Sequence, residues 1–251
     1  MNQQENVKNI KSKLTEQKHD LLKSGKIKLV PVSESALHGV TPSVGGGGGS
    51  CFPAGTLVTL ANGSTKKIED VKVGEYLLGA HGDINQVLAL DRPVVGRRPM
   101  VIINDELITT PTHPVLKVTG EFAVLDVDRY FSIENGISQT VITDDYGTEE
   151  SWILPGLLPE DSDLMQELKV GDVIHTVTGH KLVDKITLGK LPEDQLLYNF
   201  VMSGSHTYYA QGYVVTGFIN GHDFNYRTWQ SKGQPYTVET FRKLSAVVEA
   251  V

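Results

Sequence analysis

Residues 68–75 read IEDVKVGE and residues 165–172 read MQELKVGD. The copies stand 97 residues apart at each matched position: Val71 and Leu168, Lys72 and Lys169, Val73 and Val170, Gly74 and Gly171, Glu75 and Asp172. A turn glycine keeps the same offset beyond each copy, Gly82 and Gly179. A unit of this kind present twice implies a pseudo-twofold, all-β architecture. The flanking sequence has a matching texture. Short runs rich in β-branched and aromatic residues alternate with turn signals: Thr56–Leu60 before Asn62-Gly63, Glu75–Leu78 before His81-Gly82-Asp83, then Val87–Leu90, Met100–Ile103 and Leu107–Thr109. The pattern resumes at Val173–Val177, Leu182–Ile186, Tyr198–Met202, Tyr208–Ala210 and Tyr213–Thr216. Many short strands at this spacing predict an all-β fold.

Four further segments surround this β region. Residues 1–32 form a basic segment, whose first 26 residues are polar and rich in helix formers. Val7, Ile10, Leu14 and Leu21 fall near heptad spacing, which predicts a thinly amphipathic helix needing a partner. Gly25 ends it, and residues 27–32 read as a short extended piece. Residues 33–50 lack periodicity and carry five consecutive glycines, Gly45 to Gly49, which predicts a linker and a separately folding body behind it. Residues 121–165 interrupt the two copies as an insertion. Residues 218–251 form a Gly- and Asn-rich tail, helical from Val238 to Val251.

Composition narrows the function. The net charge is −7, while residues 1–30 carry seven lysines against Glu5, Glu16 and Asp20. The main body is therefore acidic, which argues against binding a nucleic-acid backbone. No apolar run reaches 18 residues, so no membrane span is expected. The polar N-terminus shows no secretory signal, leaving cytoplasm and virion as open locations. Cys51 is the single cysteine. One thiol forms neither an internal disulfide nor a thiolate zinc site, and no cofactor or metal is expected.

Three features carry chemistry: Cys51 directly after the glycine run, the turn Thr110-Pro111-Thr112-His113, and His206 in HTYYAQG. Acyl transfer from an amide needs a nucleophile, a proton donor for the departing nitrogen and donors for the oxyanion. A thiol is the better nucleophile near neutral pH.

The stretch CFPAGTLVTLANGSTKKIEDVKVGEYLL (residues 51–78) resembles the opening of Hint domains, which are shared by inteins and hedgehog proteins. Thr110 and His113 match that family's TxxH motif, and HTYYAQGYVVTG (residues 206–217) resembles its closing block. The resemblance covers residues 51–217. It implies a Hint-type fold and self-processing at the Ser50–Cys51 bond. Cys51 would attack the Ser50 carbonyl to form a thioester, His113 would protonate the departing nitrogen, and Thr110 would hold the scissile peptide. Asp91, in LALDR, is similar to a hedgehog aspartate that serves the second nucleophile. His206 would assist thioester resolution or anchor the last strand. Inteins end in His-Asn, whereas Thr216 and Gly217 stand here, so splicing is disfavoured. No sterol-recognition segment is visible after the domain. The expected substrate is the protein's own N-terminal segment. The second nucleophile would be a thiol, an amine or water, and residues 1–26 would dock to an assembly partner. Two other readings stand beside this one: a catalytically silent Hint scaffold in a viral or surface structural protein, and a cysteine peptidase acting on other proteins.

Overall fold

The computed structural model describes residues 19–30, 50–127, 139–143, 149–153 and 165–219. The expectations for residues 1–18, for the glycine run and for Val238–Val251 lie outside the described residues. In chain order the elements are a one-turn helix α1 (Asp20–Lys23), β1 (Lys28–Val30), β2 (Phe52–Pro53), β3 (Leu57–Thr59), β4 (Thr65–Lys67), β5 (Tyr76–Leu78), β6 (Ile84–Asp91), β7 (Met100–Ile103), β8 (Leu107–Thr109), β9 (Val115–Leu116), β10 (Phe122–Val124), β11 (Gln139–Thr143), β12 (Glu149–Ile153), β13 (Met165–Glu167), β14 (Val173–Thr176), β15 (Gly179–Leu182), β16 (Ile186–Lys190), β17 (Leu197–Met202), β18 (Thr207–Ala210), β19 (Tyr213–Thr216) and β20 (Phe218–Ile219). Among the described residues the fold is all-β apart from α1 and a 3-10 turn at Ile68–Asp70.

Three sheets result. One runs β1-β16-β7-β8; a second runs β13-β10-β9-β19-β18-β3-β4 with β14 and β15 attached; a third runs β12-β11-β6-β17-β2 with β5 and β20 attached. The main core gathers Phe52, Ile68, Leu77, Val115, Ile174, Phe200 and Tyr208 from both copies of the repeat. A second cluster holds Cys51 with Val95, Met100, Ile102, Ile108, Leu191 and Leu197.

The duplication repeats bond by bond. The Gly74 N–H donates to the Val87 carbonyl and the Val87 N–H to the Glu75 carbonyl, both at 2.8 Å. In the second copy Gly171 donates to Val183 at 2.9 Å and Val183 to Asp172 at 2.8 Å. Each acidic residue closes its turn by accepting a backbone N–H at 2.8 Å, Glu75 from Lys72 and Asp172 from Lys169. Gly74 and Gly171 have φ of +87° and +100°. A Cβ is strained there, which is why both copies keep glycine.

The repeat reaches further upstream than its sequence identity. Leu60 N–H donates to Ser64, Gly63 to Leu60 and Ala61 to Tyr76; in the same pattern Lys117 donates to Glu121, Gly120 to Lys117 and Val118 to Val173. These equivalents stand 57 residues apart (Leu60 to Lys117), against 97 for the later turns (Gly74 to Gly171). The insertion accounts for the difference, and it lies between β10 and β13. This corrects the expected bounds of 121–165. Phe122–Val124 pair with β9 and with β13, and Ala123, Val124 and Met165 are buried, so both ends of that range belong to the fold. Within the insertion, β11 and β12 form a hairpin that pairs with β6 at Leu90 and Asp91. The run Leu182–Ile186, expected as one strand, divides between β15 and β16.

A second correction concerns the N-terminal segment. The glycine run suggested a body with no packing obligation to what precedes it. Instead β1 pairs antiparallel with β16, Leu29 facing Gly189 and Val30 facing Leu188. Ile27 is 4% exposed and belongs to the Cys51 cluster. Burying such a side chain is worth about 1.5–3 kcal/mol. A Cβ on Gly189 would sit 2.7 Å from the Ile27 side chain, so the glycine leaves the space that Ile27 fills. His19 is also buried: Nδ1 accepts the Leu21 N–H at 3.2 Å, capping α1, and Nε2 lies 3.3 Å from Thr56 Oγ1. Among the described residues no helix is long and apolar enough to cross a membrane.

Candidate active site at the Ser50–Cys51 peptide

Strand pairing brings the site together. In the third sheet β17 lies between β6 and β2, with Asn199 facing Asp91 on one side and Tyr198 facing Phe52 on the other. Cys51 directly precedes β2. Asp91 ends β6, so its carboxyl points toward the start of β2. Thr109 ends β8, and the following turn delivers Thr110, Thr112 and His113.

The peptide joining Ser50 and Cys51 is held at each polar atom. The Ser50 carbonyl oxygen accepts from Asn199 Nδ2 at 2.6 Å. The Cys51 N–H donates to Thr110 Oγ1 at 3.0 Å. The Cys51 carbonyl accepts from the Thr110 N–H at 3.0 Å and from Thr109 Oγ1 at 3.2 Å. Ser50 Oγ donates to the Thr112 carbonyl at 2.8 Å. The Cys51 thiol, 0% exposed, donates to Asp91 Oδ2 at 3.6 Å. The Asn199 amide is itself fixed, because Oδ1 accepts from Tyr208 Oη at 2.8 Å and from the Phe200 N–H at 2.9 Å. Its Nδ2 therefore aims at Ser50 without further rearrangement.

Burial sets the electrostatics. It pushes the Cys51 thiol well above its ordinary value; the Asp91 charge adds to this and Arg98 opposes it. Burial also raises Asp91 to about 7, against the thiol hydrogen bond and the Arg98 charge. His113 is lowered to about 3 by burial, while the adjacent backbones of Ser50 and Thr216 favour its charged form. At neutral pH the imidazole is thus neutral, the thiol protonated, and the carboxyl near its midpoint. His113 packs on the Phe52 ring at 4.1 Å between centroids. Both of its nitrogens, and Asp91 Oδ1, are buried with no hydrogen-bond partner of good geometry among the described residues. Such orphaned atoms are rare, and here they flank one junction, His113 beside the Ser50 backbone and Asp91 beside the Cys51 thiol.

The structure thus brings Cys51, Asp91, Thr110 and His113 into one place. His206 sits in the β17–β18 turn with φ of +59°; Nδ1 bonds the Met202 carbonyl at 2.7 Å, and its carbonyl accepts the Gly217 N–H at 2.6 Å. That arrangement anchors the end of β19. Sequence reasoning missed Asn199, Tyr208, Thr109 and Arg98. One signal pointed to Asn199: it is the lone amide in the apolar strand LYNFVM, and a buried amide in such a run needs fixed partners. Among the described residues no group of three His, Cys, Asp or Glu is placed to hold a metal ion.

The downstream end differs. Gly217 stands where a Cβ would collide with Met202 Cγ and meet the Phe200 carbonyl oxygen at 2.7 Å. The chain continues into β20, parallel to β17, with Phe218 facing Val201.

Residues 51–109 match the family model described as Hom_end-associated Hint. No curated protein matches the chain in sequence. Among solved structures, the gp41-1 intein is similar at 17% identity, with 67% of this chain and 99% of that chain covered and a TM-score of 0.41. The bacterial intein-like domain from Clostridium thermocellum is similar at 19% identity, covering 66% and 97%, with a TM-score of 0.40. The DnaB intein from Synechocystis sp. PCC 6803 is similar at 14% identity, covering 67% and 99%, with a TM-score of 0.37.

Proposed function

We propose that this chain carries a Hint domain opening at Cys51, where residues 51–109 match that family model, and that it cleaves itself once, at Ser50–Cys51, without splicing. The observation that carries this reading is the grip on one peptide: Asn199 on its carbonyl, Thr110 on its N–H, and Asp91 on the thiol that follows it.

Asp91 takes the thiol proton, and the sulfur adds to the Ser50 carbonyl carbon. Charge on the carbonyl oxygen is met by Asn199 Nδ2, held by Tyr208. Collapse breaks the bond between the Ser50 carbon and the Cys51 nitrogen. The proton lost by sulfur reaches that nitrogen through His113, whose neutral imidazole is free to accept and pass it on. The product is a Ser50–Cys51 thioester with a free Cys51 amine. An incoming thiol, amine or water then attacks the same carbonyl and yields its proton to Asp91. Residues 1–50 leave with a new acyl bond, and the Cys51 thiol is restored. The geometry at Gly217 supports omission of splicing, because it leaves no room for a cyclising side chain.

One observation favours a silent scaffold instead: the thiol is fully covered and held protonated. Mass spectrometry of the folded protein with hydroxylamine tests both. The expected result is two fragments divided before Cys51, with a hydroxamate at Ser50, and no fragments from Cys51→Ala. An intact chain under native conditions would favour the scaffold.

A further inference from the structure

The upstream segment is seated on the domain that would release it. Without β1, strand β16 would be the edge of its sheet, presenting unpaired backbone groups. Residues Lys28–Val30 complete that edge in antiparallel register. Ile27 fills the space over Gly189 and touches the apolar cluster that contains Cys51. Leu21 and Leu22 pack against the same cluster. His19 reaches Thr56, just beyond β2. This is the geometry of a bound peptide recognised by strand addition and one deep side-chain pocket.

We propose that the β16 edge and its Ile27 pocket form a peptide-binding site, and that the segment 19–30 is its ligand both before and after the chain is cut. Resting on the cleavage reading for its biological use, the proposal makes breaking of Ser50–Cys51 and departure of residues 1–50 separate events. The released piece stays docked, keeps the edge of β16 paired and covers the Cys51 cluster until it dissociates or is displaced by another strand. Recognition is apolar and backbone-directed. Lys28 faces Lys190 across the strand pair, and like charges directly opposite oppose pairing. Salt should therefore leave retention unchanged or strengthen it.

The test removes the chemistry. In the full chain with Cys51→Ala, Gly45–Gly49 are replaced by a site-specific protease sequence, the protein is cut, and native gel filtration follows. The expected result is one peak containing both pieces, at low and at high salt. Ile27→Asp and Gly189→Val should each release the N-terminal piece at least tenfold faster, with circular dichroism confirming an intact β fold. Two separate peaks from the cut parent protein would overturn the proposal, as would unchanged retention in a folded Ile27→Asp protein. Because no autocleavage is involved, failure here leaves the cleavage reading standing, and failure of cleavage leaves this result interpretable.

Discussion

The two ends of the domain treat the chain in opposite ways. At Ser50–Cys51 the side chains of Asn199, in β17, and Thr110, just after β8, hold the two polar atoms of a single peptide, Asp91 of β6 holds the thiol beside it, and titratable groups are buried to do so. At Thr216–Gly217 backbone meets backbone: Gly217 donates to His206, a missing Cβ admits Met202 and Phe200, and the chain runs on into β20. The first end spends stability to hold reactive groups ready; the second is packed as ordinary sheet. On the proposed reading, a domain with one reactive junction and one structural junction cuts on one side only.

The largest effect should come from the group that moves the proton. His113→Ala should slow thioester formation by about 10²–10⁴-fold, the usual range for loss of a general acid–base. Quenched-flow mass spectrometry of hydroxylamine cleavage measures this. An unchanged rate would reduce the upstream junction to a structural one. Asn199→Ala should follow, at about 10²–10³-fold, as expected for one oxyanion donor. Tyr208→Phe keeps the Asn199 amide and removes only the hydroxyl that orients it, so its loss should be smaller.

Asp91→Asn comes next, at about 10²-fold in cleavage rate. It also alters the pH dependence. In the parent protein the rate should rise as pH passes through about 7, where Asp91 ionises; the variant should lose that limb. Stability should move the other way. The folded-state value of Asp91 lies above its ordinary value of 3.8. Its contribution is therefore fully present below about pH 4 and is lost as pH rises through about 7. Above that pH Asp91→Asn should be the more stable protein in urea unfolding, and the gain should fade toward pH 4. His113 has the opposite sign. Lowered to about 3, it stabilises above its ordinary 6.5, and that stability is lost as the solution is acidified toward 3.

How much of this was legible in sequence follows from how local each cue is. The repeat around Gly74 and Gly171 announced itself because a left-handed turn with an acidic cap needs specific residues at fixed spacing. Cys51, Thr110 and His113 were legible as a pattern in chain order. Asn199 was not, since its meaning depends on β17 lying between β6 and β2, a pairing over long sequence separation. The extension of the repeat to Leu60 and Lys117 was hidden for a different reason: it is written in backbone hydrogen bonds that many sequences satisfy. The docking of Ile27 was obscured by the glycine run, whose composition suggests independence while saying nothing of what the chain does upstream of it. Gly189, the residue that makes the pocket, carries no pattern of its own.

The smallest expected effect bears directly on the contrast between junctions. Gly217→Asn, alone or with Thr216→His, restores the residue types with which inteins end. If composition alone separated the two junctions, the variant would join residues 1–50 to the chain beyond 217, and a ligated product would appear by mass. The packing argues otherwise. A side chain at 217 meets the Phe200 carbonyl at 2.7 Å, and a backbone atom in a central strand cannot turn aside as Met202 can. The variant must shift β20 or the end of β17, at a cost of about 1–3 kcal/mol typical of overpacking. The expected outcome is a lower urea midpoint, upstream cleavage slowed less than in the variants above, because the Phe200 that must shift also donates its N–H to the Asn199 amide, and no ligated product. Ligation in this variant would mean that the downstream junction keeps its reactive geometry and lacks only the amide, and the distinction between a reactive and a structural end would fall.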